Sequence, residues 1–133
     1  MAYDESSTFI HSKLQQSLNS DNAPSDITSN SSEKPIQPNP LVFRYPSTKL
    51  GKQNRSFNPN RFNTYCWLEY SMERDAAFCF PCRHFNTRSG RNEETFTHNG
   101  FRDWKHAVDK NGALSVHANC FSHIQAMHSW HEF

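Results

Sequence analysis

Two cysteines three positions apart, with a proline between them, form a tight turn that can aim both sulfurs at one point. Cys79 and Cys82 are such a pair, set in the aromatic run AAFCFPCRHF of residues 76–85. Three chemistries use that spacing: half of a disulfide framework, a dithiol redox pair, and half of a metal site. A redox pair of the thioredoxin type needs a strand-helix-strand context, and no such alternation surrounds these residues. A disulfide needs an oxidising compartment. The first residues, MAYDESSTFIHSKLQQSL, carry acids early and have no apolar core, so they do not read as a secretory signal. A reducing intracellular setting is the expectation, and there closely spaced cysteines serve metals or catalysis more often than disulfides.

A metal site needs further donors. Eight histidines are many for 133 residues, and most follow residue 83. In VHANCFSH, residues 116–123, His117 and His123 stand with five residues between them, inside the spacing used by finger-type zinc sites. The constellation is then Cys79-x2-Cys82-x34-His117-x5-His123, a soft N/S donor set suited to tetrahedral zinc. The 34-residue spacer adds only about 1 kcal/mol of closure entropy relative to a 12-residue finger loop. A structural zinc returns on the order of 10 kcal/mol. Geometry raises a difficulty: six residues is roughly 600° of ideal helix, so both imidazoles reach one point only if the helix breaks or widens near Phe121. A rival set replaces His117 by Cys120, which shares a helical face with His123 at i, i+3. Donor chemistry alone leaves both sets open.

The elements that must hold these donors can be sketched. WLEYS (67–71) and AAFCF (76–80) flank the polar MERD (72–75), which predicts a β-hairpin. Phe101, Trp104 and Val108 recur at helical spacing, with Asp103 near the start and Lys110, Asn111 and Gly112 near the end, which predicts a helix from Phe101 to Lys110. A second helix is expected from Ser115 as N-cap to about Trp130, with Leu114, Phe121, Ile124 and His128 as one stripe and Met127 and Trp130 beside it. Trp67, Phe78, Phe80, Phe101 and Trp104 are the expected core beside the metal.

Composition divides the chain. It is only 35% hydrophobic, yet 14% aromatic, too aromatic to be disordered throughout. NSDNAPSDITSNSSEKPIQPNP, ending at residue 40, holds four prolines and little to bury. Residues 1–54 therefore read as a disordered or extended lead-in, apart from Phe9, Ile10, Leu14 and Leu18 at helical spacing. Residues 55–133 read as the compact unit, and removal of residues 1–40 is expected to leave it intact. The predicted class is a small α+β domain stabilised by zinc, with one hairpin and two helices behind a disordered tail. The net charge of +1 argues neither for nor against nucleic acid. No run of about 18 apolar residues exists, so no membrane partner is expected.

Several of these motifs, RSFNPNRF, WLEYS, DAAFCFPCRHF, FTHNGFRDWKHAV and HANCFSH, occur in this order over residues 55–131. Together they resemble the TTF-type zinc-finger domain found near the N-terminus of hAT-superfamily transposases and related MYM-type zinc-finger proteins. The family pattern maps onto Cys79, Cys82, Gly100, Phe101, Trp104, Lys105, His117 and His123. The resemblance implies Cys79, Cys82, His117 and His123 as zinc ligands, with Cys120 a bystander at a position usually small and polar. It implies a nuclear, DNA-binding module without the catalytic domain of a transposase, and so no enzyme: a truncated or standalone finger. Arg83, Arg88, Arg91, Arg102 and Lys105 are the candidate phosphate contacts. The other function class kept open is a structural or protein–protein interaction module, which near-neutral charge and a supply of aromatics favour.

Overall fold

The computed structural model describes residues 24–85, 94–108 and 111–133. The apolar stripe Phe9–Leu18 expected in the tail lies outside them, as do Arg88 and Arg91.

Two hairpins organise the fold. Strands β1 (Thr48–Leu50) and β2 (Gln53–Arg55) pair antiparallel around Gly51, whose φ of +71° suits a residue without a Cβ. A single helical turn, α1 (Arg61–Thr64), follows. The central hairpin joins β3 (Leu68–Ser71) to β4 (Ala76–Cys79), with Leu68 opposite Cys79 and Ser71 opposite Ala76. Its turn is the predicted Met72–Asp75, closed by Asp75 at φ 52°. Both strands are buried along their whole length, and Tyr70, Phe78, Phe80 and Leu68 are among the most deeply buried side chains. Helix α2 (Phe80–Phe85) starts at the residue after β4. Phe80 N–H still bonds to Trp67 C=O at 2.9 Å, so strand runs into helix with no linker.

The chain then makes one wide π-type turn at Thr95–Asn99, a 3-10 turn at Trp104–His106, and helices α3 (Ala113–Ala118) and α4 (Phe121–Glu132). Trp67, Phe78, Phe80, Phe101 and Trp104 are all buried, as their spacing predicted.

Three expectations need correction. The helix predicted over Phe101–Lys110 does not form over its described residues, 101–108, and its expected end at Lys110 lies outside them. Gly100 has φ +89°, and Phe101 instead makes an isolated bridge to Ala77, with both backbone bonds at 2.9 Å. The i, i+3 pair packs directly: Phe101 stacks on Phe96 and Trp104 sets its edge against Phe57, while Val108 is exposed. The second helix is two helices, because Asn119 and Cys120 leave helical geometry. That break turns α4, so its inner face is His123 and Ala126 with Met127 and Trp130 against the core, and Phe121 and Ile124 point to solvent. Helix α3 begins after Gly112 rather than at Ser115.

The third correction concerns the lead-in. Packing begins well before residue 55. Ile27 is buried against Ala76 and Phe78, Tyr70 N–H bonds to Ile36 C=O at 2.9 Å, and Asp26 accepts from Ser71 Oγ at 2.7 Å and from Glu73 N–H at 2.8 Å. Polar residues hold this strap by hydrogen bonds to the hairpin, which a composition argument based on apolar burial does not register.

Candidate metal centre

Each donor is delivered by a different piece of local structure. Cys79 is the last residue of β4, and Cys82 lies in the first turn of α2. The strand-to-helix junction therefore supplies the tight turn read from the sequence. His117 is in the last turn of α3, and His123 in the first turn of α4. Between them Asn119 adopts φ −100°, ψ 0° and Cys120 is extended at φ −79°, ψ 152°. Asn119 Nδ2 donates to Ser115 C=O at 2.9 Å, tying off the end of α3. The break removes the rotational conflict of an unbroken helix and swings His123 to face His117.

The four side chains converge. All are buried, and one donor atom from each lies within 4.8 Å of the others. His123 Nδ1 is 3.4 Å from Cys79 Sγ and 3.6 Å from Cys82 Sγ, and His117 Nε2 is 3.5 Å from Cys82 Sγ. A tetrahedron built on zinc bonds of about 2.3 Å to sulfur and 2.0 Å to nitrogen has S···N edges of roughly 3.5 Å. The donor set thus fits a zinc-sized ion in both chemistry and spacing. Cys120 does not join it: its Sγ lies 3.6 Å from Ser122 Oγ. Cys66 is exposed.

Aromatic rings wall the cluster. Trp67 lies with its ring centroid 5.1 Å from that of His117 and 4.7 Å from that of His123, and Phe96 covers His117 at 4.4 Å. This dry shell acts differently on the two thiols. Burial pushes the Cys79 thiol well above its ordinary value. Hydrogen bonding from Cys79, helped by the two imidazoles, holds Cys82 down as a thiolate. Protein alone therefore favours one negative sulfur. A divalent cation favours two, and two thiolates with one dication make a neutral buried unit.

Next to the cluster a second buried polar group locks α2 to the strap. Glu69 on β3 has no exposed surface, and its carboxylate pairs with the Arg83 guanidinium. Thr28 Oγ1 lies 3.0 Å from both Glu69 oxygens and 2.9 Å from His84 Nε2, and Arg83 also donates to Thr28 C=O at 2.9 Å. Burial raises Glu69 despite the opposing charge of Arg83. Burial, together with the Arg83 charge, lowers His84 to about 4, so His84 is neutral at physiological pH.

The cations expected to face a phosphate separate. Arg83 is turned inward onto Glu69 and is not part of an outer surface. Arg102 is exposed, though its Nε donates to Asp75 C=O at 3.0 Å. Lys105 is exposed and lines a groove with Arg55 and Arg61. Neither of those arginines was singled out from the sequence, because in RSFNPNRF they sit in irregular chain with no periodicity to mark a shared face. Comparison with protein-family models, with characterised proteins and with solved structures returns no match.

Proposed function

We propose that the chain is a structural zinc module that presents its outer surface to nucleic acid. The observation that carries the zinc reading is the convergence of four buried donors, two sulfurs and two nitrogens, from four elements. Four protein donors fill a tetrahedron and leave no position for a reactive water, so the role is to hold the fold rather than to catalyse. The ion ties β4 and α2 to α3 and α4, elements that the chain connects only through long intervening segments.

Nucleic acid is the partner class favoured by the order of motifs shared with TTF-type fingers, and the nucleus is the compartment that goes with it. Exposed Arg102 and Lys105 agree with this reading. A second reading, a protein-interaction module, is supported by Phe121 and Ile124, which α4 exposes side by side. One experiment separates them. Zinc-loaded protein is titrated into a fluorescent DNA duplex at several salt concentrations. Binding whose affinity falls steeply with salt supports nucleic acid, and no binding at low salt removes that reading. Metal analysis of the same sample tests the zinc assignment by itself.

A further inference from the structure

A groove of about 340 Å³ lies between β2, the loop leading to α1, and the 3-10 turn at Trp104. Among the described residues, its lining contains three cationic side chains, Arg55, Arg61 and Lys105, and no carboxylate. The nearest acid in sequence to Lys105, Asp103, faces His106 Nδ1 at 2.8 Å. Beneath the rim, Trp104 Nε1 and Arg55 Nε are buried donors with no acceptor among the described residues. Among the described residues the Arg55 guanidinium makes one side-chain bond, from NH2 to Gln53 Oε1 at 2.7 Å. Asn58 and Ser56 add uncharged polar groups to the wall. The described lining thus carries positive charge that no carboxylate offsets. None of the four metal-site residues lines it.

Such a surface calls for an anion with several acceptor oxygens. A carboxylate would satisfy one guanidinium fork. Three cations around one concavity match a phosphate, whose oxygens accept from several directions. The floor is apolar but closed, because Phe57 and Trp104 are buried, so a stacked base is not accommodated and the backbone is what fits. We propose that this groove is a phosphodiester-binding site, in which a backbone phosphate of a nucleic acid strand is held by Arg55, Arg61 and Lys105. It rests on the nucleic-acid reading above and gives that reading a location. Recognition here is of backbone, and it positions the chain without reading sequence.

The test uses the zinc-loaded full chain and a fluorescent mixed-sequence DNA duplex titrated across a sodium chloride series. The groove variant is Arg61→Gln/Lys105→Gln, which spares the partly buried Arg55. The control is Lys34→Gln/Arg44→Gln, which removes the same charge from exposed positions outside the groove. Zinc content and far-UV spectra establish that both fold. Loss of two phosphate contacts flattens the slope of log affinity against log salt by about 1.8 and weakens binding at 0.1 M salt by roughly tenfold or more. The control should keep the wild-type slope, and Arg61→Lys/Lys105→Arg should restore most of it. If both double variants weaken binding alike, the groove is not the site, although the nucleic-acid reading stands. If the wild type does not bind DNA, that reading fails and the inference with it. Retention of the wild type on phosphatidylserine vesicles without DNA binding would overturn both in favour of a lipid headgroup.

Discussion

At the scale of single residues, the proposed zinc site makes opposed demands on neighbouring cysteines. Cys79 and Cys82 lie within the cluster and Cys120 lies outside it. Cys82→Ser or His123→Ala should therefore bring zinc content from about one equivalent to near zero, while Cys120→Ser leaves it unchanged. Metal analysis after refolding with zinc checks this, and metal loss in Cys120→Ser would restore the rival donor set. Gly100 makes a different demand. A Cβ there would stand 2.7 Å from Ala76 Cβ and 2.8 Å from the Phe78 ring, at a φ of +89°. Both contacts are with the buried hairpin, which cannot give way cheaply. Gly100→Ala should cost about 3 kcal/mol, combining backbone strain with overpacking. A denaturant melt that places it within 1 kcal/mol of wild type, roughly the size of an ordinary substitution, would show that the bridge from Phe101 to Ala77 is not rigid.

At the scale of elements, the strap from Asp26 to Gln37 is the part that sequence reasoning placed least well. Its anchor is Thr28, which joins Glu69, Arg83 and His84. Thr28→Val removes the hydroxyl while nearly preserving volume, and leaves a buried carboxylate short of a donor. The expected loss is about 1–3 kcal/mol, or several degrees in Tm for a domain of this size. Equal melting temperatures for variant and wild type would mean that the strap contributes nothing to the core. The central hairpin was legible because aromatic runs flanking a polar turn are a local signal. The pair Cys79 and Cys82 was legible because its spacing is itself the geometry. The choice between His117 and Cys120 was not fixed by donor chemistry, since it depends on a helix break two residues long that apolar periodicity does not mark. Phe101 and Trp104 were correctly placed in the core but wrongly placed in a helix. Burial spacing of three residues is met equally well by a strand bridge followed by a 3-10 turn.

At the scale of the whole molecule, four elements meet at one small cluster, and a domain of this size has a stability margin of only a few kcal/mol. A structural zinc contributes more than that margin. A strong chelator should therefore unfold the protein in one cooperative step, with far-UV signal and tryptophan fluorescence changing together. A melting curve unmoved by chelation would show that the core stands without the ion. The central hairpin carries a further consequence. Two outward backbone groups of β3 are met by the strap, through Tyr70 N–H to Ile36 C=O and Gln37 Nε2 to Leu68 C=O, and those of Ala77 on β4 by the bridge to Phe101. A two-stranded sheet of buried, aromatic-rich chain is otherwise a template for another molecule's strand. The strap and the bridge thus also guard against self-association, so loosening either should show first as concentration-dependent light scattering at temperatures where the secondary structure is still intact.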